Sequence, residues 1–295
     1  IDKRKYNTYT ILITDHEWKA VTDTSLISID KSDFSFNHNS EKITFDCVYI
    51  TIHGTPGENG LLQGYLDMIG IPHTTCNVSP SAMTFNKFTC NTYLKGFGVA
   101  IADSVLIRKG NDYNSDEIVE KLRLPCFVKP NNAGSSFGIS KAKTASEMIP
   151  AIEKAFKEDS QILIEEFLDG PEITIGVIEY KGKISVLPMT EIVSENEFFD
   201  YEAKYLGQSQ EITPARISPE IHEKLEKVAS HVYKILNMSG FSRSEYILVN
   251  GEPYFLEMNT VPGLTAASII PQQSEAAGIS LEELFHNVIE MALKN

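Results

Sequence analysis

Cysteine is scarce in this chain of 295 residues: Cys47, Cys76, Cys90 and Cys126 are widely spaced, with no C-x-x-C pair. That spacing argues against a zinc site, and a chain this long does not need disulfides, so buried thiols in a reducing compartment are expected. Basic residues are few relative to acidic ones, 26 Lys+Arg against 40 Asp+Glu, a net charge of −14. A surface of that sign repels a polyanion, so general nucleic-acid binding is not expected and any phosphate must be held locally. No run approaches the roughly 18 uncharged apolar residues of a membrane span. Nor does an apolar signal core follow Ile1-Asp2-Lys3-Arg4-Lys5, so no membrane partner is expected and the cytoplasm is the default location. Internal repeats and low-complexity tracts are absent. The chain also has no initiator Met and enters at once a strand-like run, Tyr9–Ile13, so some N-terminal sequence is expected to be missing.

The length is enough for two or three domains with cores of their own, at roughly 100–200 residues each. Residues 1–80 alternate β-rich runs with turns, and Phe45–Ile52 reads as a buried strand. It ends in the glycine-rich turn His53-Gly54-Thr55-Pro56-Gly57-Glu58-Asn59-Gly60. Leu61, Leu62, Tyr65, Leu66 and Ile69 then recur with helical spacing up to Gly70, a stop signal. Strand, turn and helix form half of an α/β unit, and the fold class is read as mixed α/β (α+β). A second region carries a helix over Asn86–Leu94, the strand Cys126–Lys129 and a helix over Ser146–Phe156. The third opens with strands at Gln161–Glu166, Glu172–Tyr180 and Lys183–Glu191, and a polar, aromatic loop over Ser194–Pro214 follows. A helix over Ser218–Leu236, a hairpin turning at Asn250-Gly251 and helices around Ala266–Ala277 and Leu281–Leu293 complete it. The expected divisions are 1–82, 83–160 and 161–295.

Glu257 and Asn259 stand at i and i+2 of a strand, where a two-residue period points both to one face. From the partner strand Glu245, in Arg243-Ser244-Glu245, can return beside them. Three oxygen donors on one sheet face suit Mg²⁺, which takes carboxylates together with substrate phosphates; the bland alternative is a solvated sheet face. In Phe127–Gly138 a lysine at a strand end, Lys129, precedes a Gly/Ser loop. Its glycines and serines offer donors to an anion, although an ordinary flexible connection has the same composition. No Gly-Lys-Ser/Thr follows the glycine run, so this is not a P-loop. Lys87 by itself reads equally as a solvated helix lysine. The connection after Ile162–Glu166 can lay backbone groups against a purine edge with Glu172 reaching a ribose, or be a plain β-turn. Lys204, in the aromatic loop Phe198–Tyr205, is placed to close on a nucleotide and exclude water, unless the aromatics only anchor the loop in a core. Arg243 is the candidate for stabilising a developing oxyanion. Of the seven histidines, His53 alone, before its glycine-rich turn, is a candidate for catalysis or substrate binding.

Taken in order, H-G-T-P-G-E-N-G, F-N-K, F-V-K-P-x-x-x-G-S-S-x-G, I-E-E-F-L-x-G-P-E, Y-E-A-K-Y, S-R-S-E and L-E-M-N-T-V-P-G-L-T resemble the D-alanine–D-alanine ligases of the ATP-grasp superfamily, from about residue 43 to the end. The resemblance implies three α/β domains with ATP gripped between the central and C-terminal ones. By it, Lys87 and Lys129 contact ATP phosphates, and Ser135, Ser136 and Gly138 belong to the loop covering them. Glu165, Glu166, Phe167 and Leu168 line the adenine pocket, Glu172 meets the ribose, and Lys204 reaches the γ-phosphate. It makes Glu245, Glu257 and Asn259 ligands of two Mg²⁺ ions, with Mn²⁺ an alternative. Arg243, Ser135 and Tyr205 take catalytic roles, while His53 and Ser268 bind the amino acids, Ser268 through the carboxylate of the second. The implied reaction joins two D-alanines through an acyl phosphate, for peptidoglycan precursors in the cytoplasm, and family members are often homodimers.

Two departures stand out. Glu245 occupies the place of the family's usual aspartate, and nothing before Tyr9 matches the family's opening strand–turn–helix with its glutamate for the first D-alanine. About thirty residues, one strand and one helix, are expected to be missing, leaving the N-terminal domain incomplete. The rivals are a non-catalytic nucleotide-binding protein on the same fold and a ligase with another acceptor such as D-lactate. Hairpin geometry adds a condition. A two-residue turn at Asn250-Gly251 pairs Val249 with Glu252 and sends Glu245 and Glu257 to opposite faces. A shared metal site therefore predicts a loop of odd length, with Gly251 at positive φ in a bulge turn.

Overall fold

The computed structural model describes residues 1–14, 16–132, 134, 137–194 and 209–294. Short antiparallel strands open the chain: β1 (Thr10–Ile13), β2 (Trp18–Val21) and β3 (Leu26–Ser28) form one sheet, β4 (Phe36–His38) and β5 (Glu41–Ile43) a hairpin. Their aromatic side chains close over helix α1 (Leu61–Ile69), where Trp18 meets Tyr65 edge to face at 4.9 Å and Phe34, Phe36, Leu62 and Leu66 are buried together. Leu62 and Leu66, four apart, lie on the buried face of α1 as its spacing predicts, and Gly70 ends the helix at φ 72°, where a Cβ is unfavourable. Phe45–Ile52 was expected to be a strand. It makes one parallel bridge, Val48 to His73, because no neighbouring strand among the described residues gives it a full ladder.

The second sheet has the order β6 (Ser104–Arg108), β9 (Gln161–Glu166), β7 (Cys126–Pro130), β8 (Ser140–Ala142), antiparallel throughout. One face, with Cys126, Val128, Ile162 and Ile164, packs on α4 (Ser115–Leu122) and α5 (Ala145–Ala155). Register puts Phe127, Lys129, Leu163, Glu165 and Lys141 on the other face. Strand β9, which the expected division at residue 161 assigns to the third region, lies between β6 and β7 in this sheet. Sequence order concealed this, because β9 follows α5 and precedes a second run of strands.

The third sheet runs β13 (Ser209–Ile212), β12 (Thr190–Ser194), β10 (Glu172–Tyr180), β14 (Phe241–Val249), β15 (Glu252–Asn259), with β11 (Lys183–Val186) also on β10. Ile173, Ile175, Val177, Tyr246 and Phe255 on one face are buried against α6 (Pro219–Ile235) and against α3 (Lys87–Lys95) through Cys90 and Leu94. Helices α2 (Val78–Phe85) and α3 contact β15, so the helix assigned to the central region is seated on the C-terminal sheet. Helix α6 carries its own start and stop signals. The Ser218 side chain accepts from the Ile221 N–H, Pro219 sits at the first position, and Glu220 and Lys234 complement the dipole. Opposite, α7 (Ile269–Ala276) and α8 (Leu281–Ala292) cover Ile178, Leu187 and Phe241 and leave the rest of that face to a cavity. No helix among the described residues is long and apolar enough to cross a membrane.

The hairpin β14–β15 corrects the loop expectation. Val249 pairs with Glu252 across a two-residue turn, with Asn250 at φ 53° and Gly251 at φ 80°, the signs that a type I′ turn requires. The change of parity comes instead from a bulge in the strand: Tyr246 pairs with Phe255, Leu256 is the extra residue, and Glu245 pairs with Glu257. One strand can therefore send Phe255 to the core and Glu257 to the opposite face.

All four cysteines are free, with Cys76, Cys90 and Cys126 buried and Cys47 half-buried. Burial pushes the thiols up, to about 11 for Cys76 and Cys126 and about 12 for Cys90. At pH 8 a pKa near 11 leaves on the order of one thousandth of a thiol as thiolate. These three are expected to resist a thiol reagent in the native protein and to react on unfolding. Mass-spectrometric counting of modified sites checks this, and labelling of all three in the native state would contradict it.

Candidate active site

The bulge sets the floor of the site. Arg243 pairs with Asn259 and Glu245 with Glu257, so four side chains able to handle charge occupy alternate rungs and share one face. Above them is a cavity of about 930 Å³ whose wall includes His53, Lys87, Arg243, Glu257, Asn259 and Ser268. Sequence reasoning singled out all six, drawn from five separate stretches of the chain. Glu245 lies beneath the wall, 2 % exposed, accepting from an Arg243 amino group at 2.7 Å. Burial opposes the Arg243 charge, but Glu245, Glu257 and Glu58 outweigh it and hold its pKa above the ordinary value. Lys87 Nζ stands 3.6 Å from Glu257. The carboxylates of the floor thus face cations from both sides.

Lys87 is the first residue of α3, and that end is bound to the start of the Gly/Ser loop. The Lys87 N–H donates to Asn131 O at 3.1 Å and the Phe88 N–H to Asn131 Oδ1 at 2.8 Å. Lys129 makes a close ion pair with Glu165, both nearly buried, and Glu165 also accepts from Asn91 Nδ2 at 3.1 Å. Glu166 Oε1 accepts from the Asp103 N–H at 2.8 Å. Phe167 is covered by Lys141, whose Nζ is 3.8 Å from the ring centroid. Leu168 follows it in the connection to β10, where Glu172 shares a face with Thr174 and hence with Glu245. None of Lys129, Glu165, Glu166, Phe167, Leu168 and Glu172 lines the cavity; they stand on or beside β7, β9 and β10. Gly138, at φ 74°, lies where a Cβ would overlap Pro130 and Glu158, so the loop turns back tightly there. Ser135, Ser136, Lys204 and Tyr205 lie outside the described residues.

Ser268 holds the N-cap position of α7 without a side-chain capping bond, and its hydroxyl is 2.9 Å from Thr265 Oγ1. Helix α7 is fixed to β10 by Gln273. Its Oε1 accepts from the Gly176 N–H and its Nε2 donates to Thr174 O and Thr190 Oγ1, all at 2.9 Å, where β10 passes from its ladder with β12 to its ladder with β11. A Cβ at Gly176 would overlap both Gln273 Oε1 and Ile270 Cδ1. Gly176→Ala is therefore expected to cost about 1–3 kcal/mol, as overpacking does. Denaturant unfolding measures it, and an unchanged midpoint would contradict this seating of α7.

Glu58 and Glu211 also line the cavity and were not singled out from sequence. Burial raises the Glu58 pKa, while the Gly54 N–H, His53 and Arg243 pull it back. Glu58 sits within the quoted H-G-T-P-G-E-N-G block and was legible there; Glu211 belongs to no quoted block.

Residues 93–290 match the family described as D-ala D-ala ligase C-terminus, and residues 1–76 the one described as D-ala D-ala ligase N-terminus. The chain belongs to the D-alanine–D-alanine ligase family. A D-alanine–D-alanine ligase of Flavobacterium johnsoniae is 58 % identical over 99 % of this chain and 91 % of its own length. One of Phocaeicola vulgatus is 53 % identical over 98 % and 90 %. Among solved structures, a D-Ala:D-Ser ligase from Enterococcus faecalis superposes with a TM-score of 0.86 at 30 % identity, covering 99 % of this chain and 91 % of that one. A D-alanine–D-alanine ligase from Bacillus anthracis complexed with ATP gives 0.74 at 32 % identity, covering 84 % and 79 %. The architecture is the mixed α/β ATP-grasp fold of these ligases, and membership rests on both halves of the chain.

Proposed function

We propose that this chain ligates two molecules of D-alanine to D-alanyl-D-alanine with ATP, through an acyl phosphate, for cell-wall precursor synthesis. The observation that carries this reading is the pairing of Arg243–Asn259 and Glu245–Glu257 on one face of a cavity that also takes in Lys87 and Ser268. A carboxylate is a poor electrophile. Its oxygen attacks the γ-phosphorus and ADP leaves; the second amine, once its ammonium has lost a proton, attacks the mixed anhydride so formed, and phosphate departs with the amine's remaining surplus proton. Lys87 and Lys129 offset phosphate charge, and Arg243 faces the oxyanion that develops at the attacked carbonyl. Ser268 receives the acceptor's carboxylate, and Lys204 and Tyr205 serve the closing loop that keeps water from the anhydride.

The donor set fits Mg²⁺. Among the described residues no three His, Cys, Asp or Glu side chains gather closely enough to hold a metal by themselves. Two carboxylates and an amide leave coordination positions to phosphates and water, the usual Mg²⁺ arrangement. Glu245, Glu257 and Asn259 would hold the ions, which would supply Lewis-acid stabilisation of the transferring phosphoryl group. Arg243 donates to the buried Glu245 carboxylate and orients it.

Phosphate release from ATP tests the reading: it is expected to depend on D-alanine and to match dipeptide formed. ATP binding without D-alanine-dependent turnover would instead establish the non-catalytic alternative. With D-alanine and D-lactate both present at neutral pH, dipeptide is expected to dominate, and mostly depsipeptide would overturn the acceptor assignment.

A further inference from the structure

Strand β13, at the edge of the six-stranded sheet, brings Glu211 into the same cavity wall as Ser268 and Arg243. No role described above uses this carboxylate. Glu211 pairs with Ile192 and Ile192 with Glu172, so Glu211 shares the face that carries Glu172 and Glu245. Gln272 Nε2 donates both to Glu211 Oε2 at 3.0 Å and to Ala267 O at 2.8 Å. One amide nitrogen therefore ties the Glu211 carboxylate to the residue preceding Ser268. Burial raises the Glu211 pKa, while the Gln272 hydrogen bond and the Arg243 charge lower it.

An acceptor amino acid enters with a carboxylate at one end and an ammonium at the other. If Ser268 takes the carboxylate, the ammonium needs an anion nearby, since burying an uncompensated cation is costly. The other carboxylates of the wall are engaged elsewhere: Glu58 accepts from the Gly54 N–H, and Glu257 is opposed to Glu245 and Lys87. We propose that Glu211 binds the α-ammonium of the acceptor and is thereby the group that selects an amino acid over a hydroxy acid of the same size. This rests on the D-alanine-ligating reading and on Ser268 as the carboxylate end.

Glu211→Gln preserves shape and still accepts from Gln272 through its side-chain oxygen. A hydrogen bond to a charged group is worth about 1.5–3 kcal/mol, so the KM for acceptor D-alanine is expected to rise about 10- to 100-fold. The KM for ATP should stay within about twofold, because the role assigned to Glu211 is to the acceptor and not to the nucleotide. D-lactate, which has no ammonium, should be incorporated as well as before, so the preference for D-alanine falls by the same factor. Glu211→Asp, which keeps the charge, should recover part of the loss. A merely structural role would impair both acceptors and ATP alike. That result, or wild-type KM and selectivity in Glu211→Gln, overturns the assignment. Where the wild-type protein incorporates no D-lactate, the split between the two KM values decides. Dipeptide formation by the wild type with unchanged Glu211→Gln kinetics removes the Glu211 assignment alone. Absence of both dipeptide and depsipeptide from the wild type removes the ligase reading and this assignment with it.

Discussion

Glu257→Gln is expected to abolish nearly all D-alanine ligation while leaving the protein folded. The substitution keeps the side-chain volume and removes one charge from the rung where Glu245 and Glu257 pair. Charge stabilisation of a transferring phosphoryl group by metal is worth several kcal/mol. At tenfold per roughly 1.4 kcal/mol, a fall in kcat on the order of 10³ follows when the anchor for that metal is lost. Stability should change little. The Glu257 side chain is 29 % exposed and its ion pair with Lys87 is 3.6 Å long, so the contribution to folding is that of a partly solvated pair, about 1 kcal/mol or less. Binding gives a readout independent of turnover. ATP with Mg²⁺ should raise the wild-type melting temperature more than ATP with a chelator does, and this difference should shrink in the variant. Near-normal ligation by a folded Glu257→Gln protein would remove the residue from the metal site.

Lys129→Met should act on both stability and nucleotide binding, and the two effects can be separated. Lys129 and Glu165 are 5 % and 4 % exposed, so their ion pair is a buried one. Removing the cation strands a carboxylate in the interior, a change that typically costs about 3–5 kcal/mol. Adding Glu165→Gln removes the stranded charge and keeps an oxygen to accept from Asn91 Nδ2. The double variant is therefore expected to regain most of the stability, a departure from additivity that marks direct coupling. It should not regain ATP affinity, because the cation for the phosphates is still missing. Denaturant midpoints for the single and double variants, with ATP titrations of each, check both parts. A double variant that binds ATP like the wild type would exclude Lys129 from the phosphate site.

Some of the fold was legible because the signals are local. Ser218, Pro219 and Glu220 announce the start of α6, and Gly70 ends α1 because it alone accepts φ 72° there without a Cβ penalty. The turn at Asn250-Gly251 was legible as a turn; its consequence was not. Nothing in Tyr254-Phe255-Leu256-Glu257 marks Leu256 as the extra residue, since a bulge is decided by which neighbours must face the core. Tyr246 and Phe255 are held there by α3 and α6, and Glu245 is held opposite by Arg243. The placement of β9 between β6 and β7 was similarly hidden, because strand order within a sheet is set by long-range pairing and not by position in the chain.

The residue types able to carry the chemistry were readable from sequence alone: oxygen donors two apart on a strand, a lysine before a Gly/Ser loop, an arginine upstream. Their order along the chain was enough to point to the family, because each block is a short run whose residues act together. What only the tertiary structure decided is which of them meet. Lys87 reaches Glu257 because α3 packs on β15, and Ser268 enters the cavity wall that holds Arg243 because Gln273 seats α7 on β10. Glu211 joins them from an edge strand whose own sequence carries no signal. Such meetings depend on packing between segments far apart in the chain, where the burial of one face decides which side chains remain to line the other.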